Sequence, residues 1–364
     1  MWAPWIAVTG FLIAVASIWA LRTTGLLAGS LDAFAAWCGT TLPGLPGNLA
    51  GYVDGAARSF LLNPVFYVVL ATVFALERVI PAKPDQRFLS VGFAQDFLWF
   101  GLDGVMRLAL IPVYAALLKS LYDRYLPGLT LNFLRTWPTA ATVVASFLVI
   151  DFLAWGRHFI RHKVSVFWHF HTIHHSQREM NLFTDLRVHV AERIIALTLT
   201  FIPLAMLGIG PPTDLYVAVG LNWYTRVYHA NLRTNYGILK HVLVTPQSHR
   251  IHHSIEQRHQ DKNFGVIFTI WDRMFGTLYS NYAEYPETGI ADTRFPLEQR
   301  GAKQAILRNL AAQFWYPFRL LSIRKPGSPA RRPSRRAPSF DTTESSTTSS
   351  FPLARPSRSS LGEA

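Results

Sequence analysis

The chain has 364 residues, half of them hydrophobic and only 16% charged, and its positive mean hydropathy of +0.18 places it in the membrane class rather than among soluble proteins of this length. A single cysteine, Cys38, excludes an internal disulfide, a four-thiolate iron–sulfur site and a Cys-x-x-Cys-His haem attachment. The net charge of +13 does not argue for nucleic acid: from Arg319 onward nine Lys/Arg face three Asp/Glu, so the tail holds +6 of it, and such charge is commoner beside a membrane.

In chain order, Met1 to Leu21 carries no charge and has no basic region ahead of it, so it reads as a retained span rather than a cleaved signal peptide. Ser59 to Leu76 is a second uncharged run. Phe97 to Leu118 is apolar but carries Asp103 and Arg107, four apart and able to pair on one helix face, so it reads either as a span or as an interfacial helix and leaves the number of spans open. Pro138 to Ile150, extended past Asp151 to Trp155, and Ile194 to Thr213 complete the set, each near the roughly 20 residues that a spanning helix needs. Together these runs predict an all-α, polytopic membrane helical bundle. Pro211-Pro212, followed by the apolar Leu215 to Thr225, predicts a helical hairpin that returns at Arg226 and brings His229 back to the side from which the chain left at Glu192-Arg193. Lys and Arg at 157, 161, 163, 178, 193, 226, 233 and 250 crowd that side, which the positive-inside tendency assigns to the cytoplasm. From Lys325 the chain is rich in Pro, Ser, Thr and Arg and predicts a disordered tail, either a solvated appendage or a binder of anionic headgroups.

Three histidine clusters carry the chemistry: His158-x-x-x-His162, His171-x-x-His174-His175 and His249-x-x-His252-His253. Residues three or four apart share a helix face, so each cluster can aim imidazoles at a common point. Adjacent histidines are rotated by about 100°, so His174/His175 and His252/His253 can each serve two neighbouring metals, which predicts a dinuclear site. With His229 there are nine nitrogen candidates. Neutral imidazole suits iron, zinc, copper and nickel alike, so spacing does not choose the metal. A lone histidine in such a chain is more often structural; three clusters without a metal would bury too many unpaired polar atoms. His169, His241 and His259 take the structural reading, and His189, in Arg187-Val-His189-Val-Ala-Glu192, stands at the edge of the candidate site. Glu179, Asp185 and Glu192 are candidate carboxylates behind the ligands or in a proton relay, with surface salt bridging as the alternative. No G-x-G-x-x-G or P-loop string supplies a nucleotide site, so any electrons the chemistry needs are expected from a partner.

The pattern Asp151, His158-x-x-x-His162, Trp168-x-x-His171-x-x-His174-His175, His229-Ala-Asn231 and Thr245-Pro246-x-x-His249-x-x-His252-His253 resembles the sterol desaturase and fatty acid hydroxylase superfamily of membrane oxygenases. Glu77-Arg78-x-Ile80-Pro81, Asp261-Lys262-Asn263-Phe264-Gly265 and Trp271-Asp272-Arg273-Met274-Phe275-Gly276-Thr277 support the resemblance, which covers roughly residues 60 to 285. It implies two iron ions in a non-haem di-iron centre on a helical cap at the cytosolic membrane face, with O2 as co-substrate, a lipid hydroxylated or desaturated, and an external electron-donor protein of reductase, ferredoxin or cytochrome type. It carries over His158, His162, His171, His174, His175, His229, His249, His252 and His253 as iron ligands. Arg157 before His158, and Phe159 where relatives often place an arginine, depart from the pattern, and Asn263 receives no certain role.

The resulting division is 1–58 an N-terminal span and loop, 59–140 membrane helices, 141–285 the histidine-bearing catalytic region, 286–324 an amphipathic segment and 325–364 the basic Ser/Pro-rich tail. Two alternatives stay open: a membrane hydrolase with zinc in the same histidine cage, and a non-catalytic module with a coordinatively closed structural metal.

Overall fold

The computed structural model describes residues 64–87, 89–131, 136–209, 223–298 and 305–323, with five isolated positions before residue 64. The predicted span Met1–Leu21, the hairpin tip at Pro211-Pro212 and the tail from Lys325 lie outside the described residues.

The described residues form helices and three isolated β-bridges, without a strand. α1 (Pro64–Val79) ends in the Glu77-Arg78 string. Glu77 turns back to accept a hydrogen bond from Asn231 N (2.8 Å), and Asn231 Oδ1 accepts from Lys83 N (3.0 Å), which fastens the loop after α1 to the loop after His229. α2 (Val91–Val105) opens at Ser90, whose hydroxyl accepts from Phe93 N. It runs without a break through a π-helical segment, Met106–Leu110, into α3 (Ile111–Tyr125). Arg107 and Asp103 pair there at 2.7 Å, as their spacing predicts.

α4 (Thr139–Lys163) has 25 residues and, among the described residues, is the helix long and apolar enough to cross a membrane by length and composition. Its Val144, Leu148 and Phe152, like Leu199 and Ile202 further along the chain, are exposed apolar side chains on helices. The chain turns at Val164 into α5 (Ser165–His175), and α6 (Val190–Met206) packs on α4 and α5. Residues 223–229 are helical and end at His229. α7 (Pro246–His252) has a capping box in which Thr245 and Ser248 exchange side-chain-to-backbone hydrogen bonds. The short α8 (Ile270–Met274) and the long α9 (Ala305–Ile323) follow.

Two contacts position the site. Phe93, Phe97 and Phe100 of α2 surround Phe183 with ring centroids 5.2 to 5.5 Å apart, anchoring the segment between α5 and α6. Arg187 on that segment is fully buried between Asp96 (2.9 Å) and Glu298 (2.5 Å), so removing any one of the three would strand a buried charge.

Candidate metal centre

All nine candidate histidines meet at one place, and they divide into two groups. His158 and His162 from α4, His171 and His175 from α5 and His252 from α7 form the first; His174, His229, His249 and His253 form the second. Within each group one ring nitrogen per residue lies within 4.8 Å of the others. Each adjacent pair is split: His175 faces the first group and His174 the second, His252 the first and His253 the second. That is the consequence of a 100° rotation between neighbours on a helix. His249 and His253, one turn apart, share the second group, whereas His171 and His175 share the first. The groups adjoin, with the His175 and His253 rings stacked at 4.3 Å.

Local chemistry fixes which nitrogen points inward. His158 Nδ1–H donates to the Phe264 carbonyl (3.0 Å), His252 Nδ1–H to the Lys262 carbonyl (2.8 Å) and His171 Nδ1–H to Glu192 Oε1 (2.9 Å). A carbonyl can only accept, so His158 and His252 in their neutral form keep a lone pair on Nε2. The Nε2 atoms of all five first-group histidines are buried without a hydrogen-bond partner. Leaving a buried polar atom unmatched costs on the order of 1–3 kcal/mol, and five such atoms aimed at one another are explained by a cation among them. In the second group, His174 and His229 Nε2 are 3.2 Å apart, His229 and His249 2.8 Å, and His249 and His253 3.1 Å. Nitrogens bound at about 2.1 Å to one ion at right angles stand about 3 Å apart. The donor set fits a pair of transition-metal ions.

Burial holds the cluster in the ligand-ready state. The imidazoles of His171, His174, His175, His249 and His253 titrate well below the usual histidine range, first because burial disfavours the cation and then because neighbouring imidazoles add repulsion. His252 is lowered to about 4, chiefly by burial. Trp168 lies 4.9 Å from the His162 ring and 5.3 Å from that of His175, and Phe264 lies 5.1 Å from His162, so aromatic walls close the first group against water.

Residues 143–277, which contain every one of these histidines, match the fatty acid hydroxylase family model. The chain carries a fatty acid hydroxylase domain. It is similar to alkylglycerol monooxygenase from Danio rerio (35% identical over 142 residues, 39% of this chain and 31% of the relative) and from Homo sapiens (34% over 142 residues, again 39% and 31%). It is also similar to ornithine lipid hydroxylase OlsE from Rhizobium tropici (29% over 144 residues, 40% of this chain and 44% of the relative). The matched stretch thus spans less than half the length of each of these relatives. No solved structure matches the chain.

The rest of the fatty acid hydroxylase domain sorts the other sequence candidates. Glu192 reaches the first group through His171 and also pairs with Arg161 at 3.0 Å. Asp185 lies 3.6 Å from His229 Nδ1, whose closer partner is the Thr225 carbonyl at 2.6 Å. Glu179 accepts from Gly92 N at 3.1 Å and touches neither group. His189 also belongs to neither group. It caps α6 by accepting from Ala191 N (3.0 Å) and its ring sits between Phe170 and Phe314, so its burial is structural. His259 is held by Ser254 Oγ (2.9 Å) and Glu284 (3.2 Å).

The Asp261-to-Gly265 loop has a role that spacing did not show. Asp261 and Asn263 adopt left-handed backbone (φ 61° and 57°), a conformation open to Asp and Asn. Asn263 Nδ2 donates to Ser248 O (3.0 Å) and its Oδ1 accepts from Tyr279 N (2.8 Å). So twisted and pinned, the loop presents the carbonyls of Lys262 and Phe264 to His252 and His158. Asp272 holds the far end by accepting from Phe264 N (2.9 Å), Gly265 N (2.7 Å) and Trp155 Nε1 (3.0 Å). Arg157 and Phe159, the departures from the family pattern, turn away from the ligands: Arg157 donates to Thr200 Oγ1 (2.9 Å) and Phe159 stacks on Trp155 and meets Phe264 edge-on.

Proposed function

We propose that this protein is a multi-pass membrane di-iron oxygenase that hydroxylates or desaturates a lipid, with the metal site at the cytoplasmic face. The observation that carries the reading is the division of nine imidazoles into two adjoining groups, the first with five inward Nε2 atoms that have no partner and the second with Nε2 atoms that meet one another. Imidazole ligation admits iron among several metals, and the family match and lipid-oxidising relatives favour iron with O2 as the oxidant. His158, His162, His171, His175 and His252 would hold one ion, and His174, His229, His249 and His253 the other.

Iron bound there supplies the oxidising power that breaks an unactivated C–H bond with O2. Hydroxylation consumes O2, two electrons and two protons per lipid, inserting one oxygen atom and releasing the other as water; desaturation with the same inputs removes two hydrogens and releases both oxygens as water. A separate redox protein delivers the electrons. The chain's own residues set the conditions. Glu192 and the two loop carbonyls fix the tautomers of His171, His252 and His158. Trp168 and Phe264 exclude water from the first group, which protects a reactive centre from side reactions.

The test is lipid mass spectrometry on cells that express the protein with a competent reductase under 18O2, with His174→Ala and His252→Ala as controls. A lipid that gains one 18O only with intact protein establishes a hydroxylase; one that loses two hydrogens without label establishes a desaturase. No protein-dependent change in either direction, with iron bound, rejects the oxygenase reading.

A further inference from the structure

Beside the first histidine group, three guanidinium groups lie around the Glu192 carboxylate, which meets Arg161 and His171 through the same oxygen. Arg157 and Arg161 stand one turn apart on α4, and Arg193 faces them from the first turn of α6. Glu192 is shared between Arg161 (3.0 Å) and His171 (2.9 Å). Asp103 is shared between Arg193 (2.8 Å) and Arg107 (2.7 Å). Arg157 reaches the Thr200 hydroxyl (2.9 Å), which is neutral. The Nη2 of Arg193 is buried without a hydrogen-bond partner. Glu192 Oε2 is buried without a partner as well, and Asp185 also stabilises the Arg193 charge, so among the described residues the imbalance lies in the guanidinium of Arg157, which meets no carboxylate, and in the unmatched Arg193 Nη2. The imidazole ligands next door contribute no negative charge.

Taking a cation out of water without a counter-charge is costly, so the arrangement calls for an anion. Its place in the fold says which kind. The cluster lies in the last two turns of α4, the helix apolar enough to span a membrane, and those turns also carry Lys163. This is the level at which lipid headgroups meet protein. Leu148 and Phe152 on α4 and Leu199 and Ile202 on α6 expose hydrocarbon along the same two helices. Three fork-shaped donors grouped around one buried carboxylate suit the several oxygens of a phosphate or carboxylate. The π-helical segment Met106–Leu110, a distortion common at functional sites, lies where Arg107 meets Asp103 on the far edge of the cluster.

We propose that Arg157, Arg161 and Arg193 bind the anionic group of the lipid substrate, so that the enzyme acts on lipids with a phosphate or carboxylate and oxidises carbons near that polar end. This rests on the lipid-oxidising function proposed above. Proximity follows from the chain of contacts: Arg161, Glu192 and His171 are joined in sequence by two hydrogen-bond-length contacts. An anion held by Arg161 is thereby kept close to the first metal position.

The experiment measures binding without turnover. The full-length, iron-loaded protein is purified in a neutral detergent, and its melting temperature and native mass spectrum are recorded with 1-palmitoyl lysophosphatidate, with 1-monopalmitoylglycerol and with inorganic phosphate. Lysophosphatidate should bind at least tenfold more tightly than the neutral glycerol lipid, with phosphate alone giving no shift at the same concentration. Arg157→Gln, which loses the Thr200 contact and an uncompensated charge, should abolish that preference while iron content is unchanged and the lipid-free melting temperature does not fall; Arg157→Lys should restore part of it. Equal binding of the charged and neutral lipids overturns the proposal without any variant. A full response to phosphate alone also overturns it, since the cluster would then be an anion site with no preference for lipid. Failure of the oxygenase reading would appear instead as absent 18O incorporation with lysophosphatidate binding intact.

Discussion

His171 Nδ1 and Glu192 Oε1 are 2.9 Å apart, both buried, and their bond ties α5 to α6 directly behind the first histidine group. Glu192 also meets Arg161, so one carboxylate orients an imidazole and neutralises a guanidinium. Glu192→Ala should lower metal affinity about 10–100-fold, the usual loss when the group behind a metal-binding histidine is removed. Glu192→Gln keeps an oxygen that accepts from Nδ1–H and should lose much less. Competition with a chromogenic chelator measures both; equal affinities for wild type and Glu192→Ala would show that the bond does not position His171.

The partition of the histidines predicts metal stoichiometry. Wild-type protein should bind about two ions per chain, one for each group of nitrogens within 4.8 Å. His175→Ala and His162→Ala should weaken one ion, and His249→Ala and His253→Ala the other, each leaving about one tightly bound equivalent. His259→Ala, remote from both groups and held by Ser254 and Glu284, should leave both in place. Elemental analysis after gel filtration checks the pattern, and a single ion lost only when all nine are disturbed would contradict the division.

Acid should unfold the metal-free protein early. His252 titrates at about 4 in the fold because burial disfavours its cation, against about 6.5 in an unfolded chain. Since the folded value is the lower one, the unfolded state takes up the proton first. No penalty exists above about pH 6.5; stability is lost as the pH falls through 6.5 toward 4, on the order of 3 kcal/mol from His252 alone. His171, His174, His175, His249 and His253 are shifted the same way and add to the slope. Melting temperatures of metal-free protein between pH 8 and pH 4 should be flat and then drop steeply. The metal-loaded form should hold out to lower pH, because bound ions keep the imidazoles neutral. Parallel curves for the two forms would mean the histidines do not face a common metal.

The parts of this protein that can be read from sequence are those written in short spacing. The i, i+4 histidines and the split of adjacent pairs follow from helix geometry alone, whereas the i, i+3 pairs His171/His174 and His249/His252, expected to share a point, fall in different groups; the Asp103–Arg107 pair is found where a four-residue interval puts it. What spacing leaves undecided depends on contacts between distant segments. Glu192 and His189 are three residues apart, yet one supports a ligand and the other caps a helix against Phe314, a distinction made by α9 more than a hundred residues away. The carbonyls of Lys262 and Phe264 are invisible in a sequence because every residue has a carbonyl; only the left-handed turns at Asp261 and Asn263 aim them.

That loop gives the last prediction, at Gly265. Its φ is ordinary, so the need for glycine is spatial. A Cβ there would stand 2.8 Å from Val244 Cγ2, 2.9 Å from Asp272 Oδ2 and 2.9 Å from the Phe268 carbonyl. None of the three can yield freely. The Asp272 carboxylate is held by Phe264 N, Gly265 N and Trp155 Nε1, and a carbonyl moves only with its backbone. Gly265→Ala should therefore destabilise the protein by about 1–3 kcal/mol, the usual cost of overpacking. It should also displace the Phe264 carbonyl, loosening His158 in the first group while the second keeps its ligands. The signature is a lowered melting temperature together with selective weakening of one of two metal ions. A variant that melts lower yet binds both ions at wild-type affinity would show that the loop stabilises the fold without orienting His158.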